Sequence, residues 1–321
     1  MIVARSLKEV PYVPSTVLSI GTFDGVHVAH QQIIRDVVHG ARERSGRSVI
    51  VTFEPHPKEV VRRKGPDREP IDGPMPLLTT LEEKLELFST LGVDLALVID
   101  FTFEFSRKSF RDFYTEYVVE GIGVSEVIEG YDHGFGRDRE GGPAELLALG
   151  REFGFSVVAE KEYLVERDVV SSSLIRSCLA EGNLAKANRL LGRHYSFTGV
   201  VITGDRRGRS LGFPTANVQM ADPRKILPRN GVYAVSALLK GRRQRGLMSL
   251  GVLPTFFDAH PRVCEVYLYD FDEEIYGERM TVECVEWIRE QRAFGSPDEL
   301  VREMDRDKIE GKRIFEALQS S

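Results

Sequence analysis

The sequence predicts an α/β domain built on a parallel sheet, followed by a small antiparallel β-barrel that ends in a helix. Three observations predict it. Through the first half, short β-branched apolar runs alternate with segments whose apolar residues recur at helical spacing, the pattern of strands covered by helices on both faces. Beyond about residue 190, short β-rich runs separated by Gly, Pro and Asp turns take over. The 321 residues, 42% apolar and 9% aromatic, also exceed what one compact core usually holds. The expected boundary falls in a helical connector and gives domains 1–186 and 187–321.

The first strand is expected at 16–20, a β-branched run that Gly21 breaks. Ile33, Ile34, Val37 and Val38 recur at helical spacing between His30 and Glu43, and 48–53 (SVIVTF) is the next buried strand, completing a βαβ unit. The pattern repeats with a helix at 81–91, a strand at 95–99, a helix at 109–119, a strand at 126–128, a helix at 144–153 and a strand at 155–159. A last helix at 183–192 stops at Gly192. Barrel strands follow at 197–202, 232–239, 247–250, 263–269 and 280–288. The terminal helix begins where Ser296 caps, Pro297 takes the first helical position, and Asp298 and Glu299 face the positive helix end.

Composition narrows the function classes. With 43 basic and 49 acidic residues the net charge is −6, which argues against a protein held to nucleic acid by a phosphate-neutralising surface. Cys178, Cys264 and Cys284 are odd in number and share no close spacing, so neither a disulfide framework nor a cysteine metal site is expected, which fits the reducing cytoplasm. No apolar run reaches the roughly 18 residues of a membrane span, so no membrane partner is expected. Oligomeric state leaves no mark in the sequence.

Two segments carry chemistry. Gly21-Thr22-Phe23-Asp24-Gly25-Val26-His27-Val28-Ala29-His30 lies between the first strand and the first helix, where an open α/β sheet presents its ligand site. Glycines there let backbone N–H groups approach phosphate oxygens, and the helix start adds positive potential. Such turns are common, and on their own two histidines fit a solvated loop equally well. Val170-Ser171-Ser172-Ser173-Leu174-Ile175-Arg176, beyond the last strand, supplies capping hydroxyls and an arginine one turn along. With the histidine turn it reads as a nucleoside triphosphate site.

These residues resemble the nucleotidylyltransferase superfamily, whose HxGH and ISSTxxR motifs bind ATP on a Rossmann-like domain. GTFDGVHxxH is closer still to its FAD synthetase branch. Thr52-Phe53-Glu54-Pro55-His56-Pro57 and Gly130-Tyr131-Asp132-His133-Gly134-Phe135-Gly136-Arg137 match as well. The resemblance implies that His27 and His30 stabilise phosphate charge beside Gly21 and Phe23. It implies also that Ser172, Ser173 and Arg176 hold the outer phosphates and that Asp132 lies near the nucleotide. Ala29 departs from the family pattern, which has glycine between the histidines; this bears on the strength of the activity, not its identity.

The second segment, Gly204 to Asn217, joins barrel strands. Its arginines alone fit a solvated hairpin loop, and no GxxxxGK[ST] occurs in the chain. Thr215 and Asn217, two apart in an extended stretch, put two neutral oxygen ligands on one side, which suits a hard cation held mostly by water and phosphates. GRSLGFPTAN resembles the GRxLGFPTAN motif of riboflavin kinases. Gly231-Val232-Tyr233, Pro254-Thr255-Phe256, Glu265 to Phe271 and Ile275-Tyr276-Gly277 follow in the family's order. By that resemblance Gly208, Arg209, Gly212, Pro214, Thr215 and Asn217 bind ATP, Thr215 and Asn217 hold Mg²⁺, and Glu265 is the general base. Arg289 would lie near the flavin. Ser249 stands where the family commonly has asparagine.

The two resemblances together imply a bifunctional enzyme with ATP, riboflavin and FMN as substrates and ADP, FAD and pyrophosphate as products. Three competitors differ in what they require. A kinase with a weakened adenylyltransferase domain rests on Ala29 alone. A flavin-binding regulator predicts loss of Glu265 or of the PTAN segment, and both are present. An adenylyltransferase for another phosphate ester, such as phosphopantetheine, is opposed by the FDGVH phrase and by the kinase half.

Overall fold

A computed structural model describes residues 1–62, 75–130, 141–204, 212–252 and 262–319. The chain divides into two compact units, Met1–Ser172 and Ser173–Ser321.

The first unit is a six-stranded parallel sheet of β1 (Ile2–Ala4), β2 (Thr16–Ile20), β3 (Arg47–Glu54), β4 (Leu95–Asp100), β5 (Val124–Glu129) and β6 (Ser156–Ala159), in the order β1-β4-β3-β2-β5-β6. The crossovers are α1 (Val28–Glu43), α2 (Pro57–Arg62), α3 (Leu81–Thr90), α4 (Phe110–Phe113) and α5 (Pro143–Phe153). Strand residues alternate between two cores. Leu18, Ile20, Val49 and Val51 pack with Phe113, Tyr114 and Leu146 on one face. Val17, Ile50 and Ala96 pack with Ile34 and Val37 of α1 and Phe88 of α3 on the other. Both faces are buried, which is why the strands read as unbroken apolar runs.

Several elements depart from the sequence reading: a helix at Pro57–Arg62 and a barrel strand at Thr215–Met220 were not expected, and two further departures have a physical reason. The edge strand β1 was not anticipated, since three residues carry no periodicity. The helix expected at 109–119 is α-helical only over Phe110–Phe113; it widens into a π-helix over Tyr114–Ile122 and ends at Gly123, whose φ is +85°. The π-helix carries the seam in which Tyr114, Val118 and Ile122 are buried. A short hairpin, β7 (Leu164–Val165) and β8 (Asp168–Val169), leads out of the unit.

The second unit starts along α6 (Ser172–Glu181) and α7 (Leu184–Leu191) and continues into a closed antiparallel barrel. Its strands are β9 (Tyr195–Ile202), β10 (Thr215–Met220), β11 (Gly231–Leu239), β12 (Arg242–Val252), β13 (Arg262–Leu268) and β14 (Arg279–Arg289), closing in the order β10-β13-β12-β11-β14-β9. Phe197, Val201, Cys264, Val266, Met280 and Val282 alternate into its interior. The terminal helix α8 (Pro297–Gln319) covers part of the outer face, where Ile314 and Phe315 pack on Ala234, Leu247, Tyr269 and Val285. Its start follows the expected signals, with Ser296 Oγ accepting from the Glu299 amide at 3.2 Å.

Candidate functional site

In the first sheet the strand order reverses at β2, with β3 on one side and β5 on the other. Ligands of open α/β sheets bind at such a switch point, outside the carboxyl ends of the strands. GTFDGVHVAH leaves the end of β2 and Gly130 leaves the end of β5. The turn after β2 is tight: Phe23, Gly25 and Val26 all have left-handed backbone, at φ +48°, +85° and +39°. Two of these are not glycine, so the surroundings must hold the turn in place.

They do so from α3 and the segment before it. The buried Asp24 carboxylate accepts from the amides of Leu78 and Thr79, each at 3.0 Å. Thr79 Oγ1 accepts from Gly25 N at 2.9 Å. Lys84, itself buried, donates from Nζ to the Thr22 carbonyl at 2.8 Å and to Thr52 Oγ1 at 3.3 Å. Ser172 Oγ donates to the Asp24 carbonyl at 2.8 Å, so this hydroxyl fastens the turn from the far end of the unit.

The histidines sit on the fastened turn. His27 caps α1, its Nδ1 accepting from the His30 amide at 3.3 Å, which places the ring proton of a neutral His27 on Nε2. The His27 and His30 rings stack at 3.5 Å and 14°, and Phe23 meets His30 edge-on at 5.2 Å. Gly21 lies under the Phe23 ring, where a Cβ would stand 3.2 Å from the nearest ring carbon. Ala29 is the second residue of α1, about 100° around the helix from His30. Its methyl therefore points away from the histidine face. Ser173, exposed, and Arg176, half-buried, stand three apart on α6. Asp132 lies outside the described residues.

Glu129, the last residue of β5, is 2% exposed, and burial pushes its carboxyl up to about 7. Tyr114 is near enough to feel its charge, and burial holds the Tyr114 hydroxyl well above its ordinary value.

In the barrel, register brings the second set together. Asn217 of β10 is directly opposite Glu265 of β13, and Glu265 is in turn opposite Ser249 of β12. One step along, Thr215 is opposite Tyr267 and Tyr267 is opposite Leu247. Directly opposed residues share a face, so Thr215, Asn217 and Glu265 stand together on the outer, half-buried face of the barrel. The Asn217 amide lies against Gly204, where a Cβ would be 2.0 Å from its Nδ2. Gly212 has φ +81°, Pro214 is exposed, and Phe213 is buried edge-on to Tyr267 at 5.3 Å. Gly208 and Arg209 lie outside the described residues, as do Pro254, Thr255 and Phe256.

Arg289 is held by α8. Its guanidinium forks onto the buried Asp307 carboxylate at 2.8 and 2.7 Å, with Glu303 at 3.7 Å. Arg292 pairs with Glu303 at 2.7 Å, and both guanidiniums approach Phe294, at 5.8 and 5.2 Å from the ring centre. Trp287 lies over Gly231, whose Cβ would meet the indole nitrogen at 2.5 Å, which accounts for glycine in Gly231-Val232-Tyr233.

Sequence reasoning missed Asp24, Thr79 and Lys84 as supports of the turn, and Asp307 as the partner of Arg289. Only Thr80, capping α3 in a box with Glu83, left a readable signal nearby.

A switch-point histidine turn on one domain and a Thr–Asn–Glu face on a barrel define a two-domain, nucleotide-using transferase. Two family models match in turn: FAD synthetase over residues 11–174 and riboflavin kinase over 191–315. The Bacillus subtilis protein named bifunctional riboflavin kinase/FMN adenylyltransferase is 37% identical over 307 residues, covering 94% of this chain and 93% of that one. Its namesake from Escherichia coli strain K12 is 34% identical over 313 residues, covering 97% and 96%. A solved Streptococcus pneumoniae structure, described as a macrolide-efflux protein, superposes with TM-score 0.85 at 28% identity and covers 97% of this chain and 98% of that one. Among the described residues of this chain, no helix is long and apolar enough to cross a membrane. The chain belongs to the family of bifunctional riboflavin kinase/FMN adenylyltransferases.

Proposed function

We propose that this chain makes FAD in two steps, phosphorylating riboflavin with ATP to FMN and ADP on residues 187–321, then adenylylating FMN with a second ATP to FAD and pyrophosphate on residues 1–186. One observation carries the reading: both motif sets stand in one chain, in order, and relatives similar along nearly their whole length carry both activities in their names.

In adenylylation, the FMN phosphate is already ionised and attacks the α-phosphorus in line, so no strong base is required. His27 and His30 stabilise charge on the ATP phosphates, Ser172, Ser173 and Arg176 hold the outer phosphates, and Asp132 serves the nucleotide. The hydrogen bond at His27 Nδ1 leaves Nε2 as that ring's donor.

In phosphorylation, the ribityl hydroxyl holds its proton, and Glu265 accepts it as the oxygen attacks the γ-phosphorus and ADP leaves. Thr215 and Asn217 fit a hard cation: both offer neutral oxygens on one strand face, opposite the base. Mg²⁺, when bound there, supplies charge screening on the phosphates. Gly208, Arg209, Gly212 and Pro214 line the ATP, and Arg289 faces the flavin while Asp307 fixes its orientation. The proposed compartment is the cytoplasm, which three buried cysteines, odd in number and without close spacing, support.

Flavins separated after incubation with riboflavin, ATP and Mg²⁺ test the reading. FMN and FAD are expected together; FMN alone supports the kinase with a weakened partner domain, and neither product supports a binding module. Glu265→Gln should lower FMN turnover about 100-fold or more while sparing ATP binding. An unchanged turnover number refutes Glu265 as the base.

A further inference from the structure

Gln291 lies in the segment between β14 and α8 and reaches back across the barrel face to β12. Its Nε2 donates to Ser249 Oγ at 3.2 Å. Its Oε1 lies over Gly251, only 1.6 Å from where a Cβ would stand, so the side chain occupies a seat that only glycine leaves open. Ser249 is the direct cross-strand partner of Glu265. Gln291 is thus seated two residues from Ser249 on the same strand face, beside the rung that carries the base.

Among the described residues, the hydrogen-bonding capacity of this pair is not filled. A serine hydroxyl has one proton and two lone pairs, and Gln291 fills one lone pair without using the proton. The carboxamide keeps a second N–H and its Oε1, and Gln291 is exposed. A donor and an acceptor therefore stand side by side next to Glu265, which matches a chain of vicinal hydroxyls rather than a phosphate or a flat ring.

We propose that Ser249 and Gln291 bind the inner hydroxyls of the riboflavin side chain and so present its terminal hydroxyl to Glu265. Ser249 donates to one hydroxyl and the Gln291 carboxamide accepts from the next. The inference rests on Glu265 being the general base of the kinase reaction.

The test is steady-state FMN formation by the full chain carrying Ser249→Ala or Gln291→Ala. It uses riboflavin and a flavin whose side chain is a 5-hydroxypentyl group, which keeps the terminal hydroxyl and lacks the inner ones. Each variant should raise KM for riboflavin about tenfold, the loss of one or two hydrogen bonds, and leave KM for ATP unchanged. Neither should alter KM for the hydroxypentyl flavin. Gly251→Ala, which keeps both side chains but unseats Gln291, should copy Gln291→Ala for riboflavin. FAD formation from FMN and ATP by the same preparations, unchanged, reports on their integrity. Unchanged KM for riboflavin, or an equal rise for both flavins, overturns the inference while leaving the base in place if Glu265→Gln still lowers turnover about 100-fold or more. If Glu265→Gln turns over normally, the base assignment falls and this inference falls with it.

Discussion

Asp24 and Thr79 hold each other twice: the carboxylate accepts from the Thr79 amide at 3.0 Å and from its hydroxyl at 3.4 Å, while that hydroxyl accepts from Gly25 N at 2.9 Å. The left-handed turn that carries His27 and His30 is thus set by residues 54 and 55 positions further along the chain. The histidine motif is half of a clamp whose other half lies before α3.

Asp24→Ala should therefore act on one activity only. It strands the buried amides of Leu78 and Thr79, at a cost of about 3 kcal/mol, and frees Phe23 and Val26 to leave their left-handed conformations. Urea denaturation should show the loss in the first unit, and FAD formation from FMN should fall sharply while FMN formation from riboflavin persists. Equal loss of both activities would speak against a local clamp.

Glu129 predicts a pH dependence of stability. Its folded carboxyl titrates at about 7 because burial disfavours the charge, against an ordinary value of 4.5. Below 4.5 both folded and unfolded chains are protonated and there is no penalty. Between 4.5 and 7 the folded chain holds the proton that the unfolded chain has released, so stability falls as pH rises, by about 3 kcal/mol in all, and is level above. Tyr114 stays neutral throughout. Glu129→Gln should match the parent at pH 4.5 and exceed it at pH 8 in urea midpoint; identical profiles would show that Glu129 is not the titrating group.

What the sequence revealed and what it hid divide along a physical line. The strands were legible because both sheet faces are buried, so Val17 to Ile20 and Val49 to Phe53 show no polar alternation. The proposed kinase face of the barrel was legible through Thr215 and Asn217, whose spacing of two places them on one side. Their opposition to Glu265 depends on register between strands about 50 residues apart, which no local pattern encodes. Lys84 was hidden for a different reason. In LEEKLEL it reads as a solvated helix charge, yet it shares the buried face with Phe88, one turn on, because the Thr22 carbonyl and Thr52 hydroxyl receive its ammonium. Likewise, nothing in Arg289 or Asp307 alone announces an 18-residue fork.

That fork makes the terminal helix sensitive to one side chain. Asp307 is 5% exposed, so Arg289→Ala leaves a buried carboxylate without its bidentate partner, at about 3 kcal/mol. Arg289→Lys should recover only part of this, since an ammonium cannot reproduce the two parallel bonds. Hydrogen exchange along residues 297–319 should quicken in both variants, more in alanine, with riboflavin KM rising in step. Full rescue by lysine would show that charge alone holds α8.

Gly204 offers a way to disturb the face proposed to hold the metal without removing either Thr215 or Asn217. A methyl there would fall 2.0 Å from Asn217 Nδ2 and 2.7 Å from its Cγ, and the side-chain amide is the part able to move. Gly204→Ala should therefore leave the barrel folded and swing the Asn217 carboxamide off its place opposite Glu265. The half-saturating Mg²⁺ concentration for FMN formation should rise about tenfold, the loss of one oxygen contact, with FAD formation from FMN unaffected. Asn217→Ala should show the same rise, and the double variant should be no worse than either single one, because both changes remove a single interaction. Additive losses would mean that Gly204 supports the site through the backbone and not through Asn217.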